Sequence, residues 1–142
     1  MILDAIGQLN WLAIVVAAVV YYAVGAAWFA PVLMGDTWRR ASGMQATGTA
    51  FRPTPTQIAA PLVAYLFAAT ATALLAAATG SDSILEGVVL GIVLAMGFAG
   101  SVLAATAVFE TSKPEPWTWF GVSYGYHAAA LIITALIVSL WH

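Results

Sequence analysis

His127 lies well inside a long apolar stretch, where an imidazole could relay protons or meet a small polar ligand. Ser123, Tyr124 and Thr134 stand four, three and seven positions from it, so on a helix they form a polar strip along one side. Glu110 ends the preceding apolar stretch, from which it could feed protons towards His127 or pair with Lys113. The same residues allow a plainer arrangement, in which a neutral imidazole bonds a carbonyl or a tyrosine and Glu110 is an interfacial carboxylate. Both arrangements are open at this stage.

Other chemistry has little to draw on. There is no cysteine, and the two histidines and six carboxylates form neither a HExxH pattern nor a Ser-His-acid set at plausible proximity. No glycine-rich phosphate cradle occurs, and the residues are too few to hold a metal. The expectation is a non-enzymatic protein with no catalytic residue, no metal and no cofactor. A net charge of -2 without clustered Lys or Arg offers nucleic acid no footprint.

The elements that must carry these residues follow from composition. Of 142 residues, 63% are hydrophobic and 7% charged, against about 25% charged in soluble domains. A helix needs roughly 20 apolar residues to cross about 30 Å of hydrocarbon. Four stretches qualify, at about 11–30, 58–79, 84–109 and 119–141, with the charges at or near their ends. Residues 1–8 carry Asp4 and no basic residue, unlike the positive start of a signal peptide, so the first stretch is expected to be retained as a span. The fold expected is all-α: one integral-membrane four-helix bundle with antiparallel neighbours and a short interfacial helix after the first span.

End signals support these limits. Pro31 stops the first span, Gln8 and Asn10 lie where its cap belongs, and Gly80 stops the second. Thr54, Pro55 and Gln57 match a capping box, although Pro61 leaves a start near Ala60 equally open. Ser83 and Glu86 form a second box just after Gly80, which predicts a tight hairpin with spans two and three as neighbours. Within loop 31–57, residues 36–41 read as a short interfacial helix. There Trp38 would anchor at headgroup level, with Arg39 and Arg40 facing water or anionic lipid. Arg39, Arg40 and Arg52 share that loop and Lys113 lies in the next. The positive-inside rule therefore puts both loops in the cytoplasm and both termini of this multi-pass cell-membrane protein on the other side.

Helices in lipid associate by close backbone approach, so small residues at spacing four mark contact faces. Span two carries Ala60, Ala64, Ala68, Thr72 and Ala76; span three carries Gly87, Gly91, Ala95 and Ala99; span four carries Gly121, Gly125 and Ala129. These ridges would build the bundle, and one could also meet a second copy or another membrane protein. Tyr21, Tyr22 and Trp28 in span one read as packing or interface residues, with a quinone or lipid pocket as the other option.

Asn10-Trp11, Gly25, Trp28-Phe29-Ala30-Pro31, Leu33, Gly35 and Trp38 stand in the N-terminal third, and Tyr124-Gly125-Tyr126-His127 and Trp141 in the fourth stretch. With these residues the chain resembles a family of small bacterial and archaeal membrane proteins of unknown function, spans two and three matching chiefly by hydropathy. Ala30 and Asp36 stand where that family usually has a serine and a basic residue. The resemblance implies four spans and supplies no activity to carry over.

Two functions are therefore expected to compete. One is assembly through helix faces, as a homo-oligomer or an accessory subunit with lipid around it. The other is a small transporter or channel centred on His127.

Overall fold

The computed structural model describes residues 2–44 and 53–141, with the side chains of residues 2 and 3 left aside. Four helices in it are long and apolar enough to cross a bilayer: Trp11–Trp28, Pro55–Thr79, Ile84–Phe109 and Pro116–Leu140. The described residues contain no strand, so the protein is an all-helical, multi-pass membrane bundle.

Each boundary has a local cause. Asn10 Oδ1 accepts the Ala13 amide at 3.1 Å and opens span one. Thr54 and Gln57 exchange side-chain and backbone bonds, so span two starts at Pro55 and accommodates Pro61 inside it. Span two ends at Gly80, whose φ of 66° is the left-handed geometry glycine takes at low cost. Ser83 and Glu86 cap span three in the same reciprocal way. Span four begins three residues before Trp119, because Pro116 fits the first helical turn.

Two irregularities interrupt this regular pattern. Span three passes through a π-helical turn over Ala95–Gly100. After span one the chain turns through Pro31–Gly35, where Leu33 leaves helical geometry (φ -107°, ψ -107°). Gly35 is needed at that turn because a Cβ there would run into the Phe29 carbonyl oxygen. The short helix Asp36–Ala41 follows immediately. Arg52 and residues 45–51 of the loop lie outside the described residues, as does His142.

The fourth span is the hub, and spans one, two and three each pack against it. Span two also packs along span one, where Ala69, Ala73 and Ala76 meet Ile14, Ala17 and Ala18 in a core of mostly small residues. The hairpin expected of spans two and three needs correcting. They are joined by a tight turn, but span three lies along span four and not along span two. The reason is the glycine face of span three: a Cβ at Gly91 would stand 2.5 Å from Ile132 Cα, and one at Gly87 would stand 3.3 Å from Leu136 Cα. These glycines let the backbones of spans three and four approach closely, which is the main source of helix association in lipid.

Large apolar side chains face outward along the spans, as a lipid-facing surface requires. Phe67, Leu85, Phe98 and Phe109 are among the most exposed large side chains.

Candidate functional site

The two halves of the sequence pattern interlock. Trp28 closes span one, and its ring lies against Gly125, where a Cβ would sit 3.0 Å from Cζ2. Its indole N–H donates to the Val122 carbonyl at 3.1 Å. In return, Tyr126 lies against Gly25, where a Cβ would be 2.9 Å from Oη. Each helix thus offers a glycine to the other's aromatic ring. Phe29 extends the contact, with its ring centroid 5.2 Å from Tyr126 and 5.4 Å from Trp38, both edge to face. Trp38 then donates from its indole nitrogen to Ser123 Oγ at 3.1 Å. The Pro31–Gly35 turn is what returns the short helix to the bundle, so that Trp38 reaches span four.

A polar-aromatic centre lies deeper. Tyr21 Oη and His127 Nδ1 are hydrogen-bonded at 2.7 Å. The phenol is the donor when the imidazole carries its proton on Nε2. Tyr65 of span two stacks on Tyr21, with centroids 4.3 Å apart and planes within 2°. Tyr126 meets Tyr21 edge to face at 5.7 Å, lies 4.5 Å from His127, and donates its hydroxyl to the Tyr21 carbonyl at 3.4 Å. At 1.5 Å per residue, His127 lies about 16 Å into span four from Pro116, and Tyr65 about 15 Å into span two from Pro55. Three helices therefore meet at mid-depth around one hydrogen bond.

The residues expected from the sequence to form a strip are separated by their partners. Ser123 is buried and receives Trp38, and His127 is half-buried and bonded to Tyr21. Tyr124 turns towards span three, stacking on Phe120 at 5.5 Å and covering Gly100. Thr134 is fully buried, and its Oγ1 has no hydrogen-bond partner among the described residues. Glu110 pairs with Lys113, whose ammonium sits 4.5 Å from the Trp119 ring centroid. Tyr65 and Tyr126 were not singled out for chemistry from the sequence. The signal for them was available, since both tyrosines lie well inside apolar spans.

Of the four packing glycines expected, Gly87, Gly91 and Gly125 accept neighbours, whereas Gly121 faces open space, with no atom within 4 Å of the point a Cβ would occupy. Gly121 is exposed, and although it stands one turn from Gly125 on the same side of span four, its small size opens no contact inside the bundle.

The basic end is knitted together. Arg39 pairs with Asp36 one turn away, and Arg40 reaches Glu115 at 3.4 Å. The Glu115 amide donates to the Ala41 carbonyl at 3.4 Å. The short helix is therefore fixed both to the loop before span four and to span four itself.

The family model described as protein of unknown function (DUF1761) matches residues 12–139, nearly the whole chain. No curated protein and no solved structure gives a match.

Proposed function

We propose that this chain, which belongs to the DUF1761 family of proteins of unknown function, is a non-enzymatic membrane protein that works by pairing with a second copy of itself through span three. The observation that carries this reading is a row of small residues left uncovered. Gly97, Ser101 and Ala105 recur at spacing four and are all exposed, and nothing lies within 4 Å of a Cβ built on Gly97. Ser101 Oγ already donates to the Gly97 carbonyl at 2.6 Å, so the row presents no unsatisfied hydroxyl to lipid. The glycines on the opposite face are spent on span four. A second copy brings an identical row, and small-residue rows facing each other across a two-fold axis give the close approach on which lipid-embedded helices depend.

In this reading the end with Arg39, Arg40 and Lys113 is cytoplasmic, both termini are on the other side, and lipid covers the remaining faces. Native mass spectrometry from mild detergent tests it with Gly97→Leu. The wild type is expected as a dimer and the variant as a folded monomer; a wild-type monomer from gently extracted membranes, or co-purification with a different membrane protein in its place, overturns it.

One observation favours a second reading, a transporter or channel: His127 is an ionisable side chain at mid-depth in a span, the kind of group that marks proton or solute paths. Proton and solute flux into liposomes, compared between wild type and His127→Phe, separates the two readings. Equal flux leaves assembly alone.

A further inference from the structure

At the end of the bundle opposite the arginines, spans one, two and four part around a cavity of about 320 Å³. Ala73, Ala76 and Val138 form its buried apolar wall, and Gln8, Asp82 and Trp141 stand exposed among its lining. The cavity exists because span two presents alanines there and then stops at Gly80. Its size is at the lower end of small-molecule sites, about 300–1,000 Å³.

Charge decides what could enter. At this end the acidic side chains are Asp4, Asp82 and Glu86, while Arg39, Arg40 and Lys113 sit at the other end of helices about 37 Å long. Glu86 is committed to its cap, accepting from the Asp82 and Ser83 amides and from Ser83 Oγ. Its charge still adds to the local field beside Asp82. A mouth with this sign repels anions and raises the local concentration of cations. Trp141 adds an aromatic face, which attracts a weakly hydrated ammonium.

We propose that this cavity binds an organic ammonium, with Asp82 as counter-ion, the Trp141 ring against the cation and the alanine wall taking the apolar part. The site does not depend on the pairing of span three. The ammonium could belong to a lipid headgroup or to a free amine, and the experiment separates these sources.

Full-length protein in phosphatidylglycerol nanodiscs is equilibrated with radiolabelled choline, and in parallel extracted from mixed phosphatidylethanolamine and phosphatidylglycerol membranes for native mass spectrometry. Saturable choline binding that weakens at least tenfold in Asp82→Asn and Trp141→Leu supports a free-amine site. Retention of phosphatidylethanolamine by the wild type and its loss from Asp82→Asn supports a headgroup site. Ala76→Leu, which fills the cavity without touching charge, must abolish whichever signal is seen, and Glu110→Gln at the far end must leave it unchanged. Circular dichroism confirms that each variant is folded. Absence of both signals in the wild type, or a signal that survives Asp82→Asn and Ala76→Leu, overturns the proposal.

Discussion

Gly25 of span one lies directly under the Tyr126 ring of span four, so close that a Cβ at position 25 would be 2.9–3.1 Å from three atoms of the phenol. Those atoms belong to a ring that is itself boxed in by Phe29, Tyr21 and His127. The ring has no free direction in which to retreat. Gly25→Ala is therefore expected to cost about 1–3 kcal/mol, the range for overpacking a filled interior. Unfolding in mixed detergent micelles, followed by circular dichroism, measures it. In a double-mutant cycle with Tyr126→Leu most of the cost should vanish; full additivity would mean that the two residues do not meet.

The Tyr21–His127 bond predicts a smaller effect. Tyr21→Phe keeps the stack on Tyr65 and removes only the hydroxyl. The expected loss is about 0.6 kcal/mol and at most about 1.7, the range found for hydrogen bonds between membrane helices. His127→Phe should lose a similar amount, and the double variant little more than either alone. A loss several times larger would point to a role beyond joining helices.

Thr134 points the other way. Its hydroxyl is buried without a hydrogen-bond partner among the described residues, and an unsatisfied buried hydroxyl costs about 1–3 kcal/mol. Thr134→Val keeps the branched shape and removes the polar atom, so stability should stay level or rise by up to about 1 kcal/mol. The same micelle unfolding measures it. A clear drop would mean that the hydroxyl has a partner in the membrane, such as a bound water.

Two glycines of similar sequence context should behave oppositely. Gly91→Ala puts a methyl group against the Ile132 backbone at 2.5 Å, which forces spans three and four apart and should cost about 1–3 kcal/mol. Gly121→Ala enters open space and should leave stability unchanged or slightly higher, since alanine is the better helix former. A matching loss at both positions would overturn the packing of span four described above.

Much of the architecture was legible because hydropathy and caps are local. Asn10, the Thr54–Gln57 and Ser83–Glu86 boxes, Gly80 and the short helix 36–41 each act within a turn or two of the chain. What was not legible depends on which face meets which helix. Spacing four picked out Gly121 as readily as Gly91, yet only Gly91 has a helix in front of it. The hairpin turn at Gly80 suggested that spans two and three pack together, whereas the glycines of span three select span four. At the centre, His127 stood out by its charge type, but its partner Tyr21 lies 106 residues away in sequence, and no periodicity connects them. Trp38 read as a headgroup anchor because Trp beside Arg usually is one. That reading gave no hint that the turn through Gly35 carries its indole to Ser123.

Because spans one, two and three all lean on span four, the architecture has an order in time. A ribosome delivers span four after the other three, so until then Trp28 and Trp38 have neither Val122 nor Ser123 to bond, and the glycine face of span three looks onto lipid. Three inserted helices waiting for a fourth are an open assembly, exposed to partner helices and to membrane proteases alike. Arrival of span four closes its three interfaces together, so residues 116–140 are the part of the chain on which the packing of the other three spans depends.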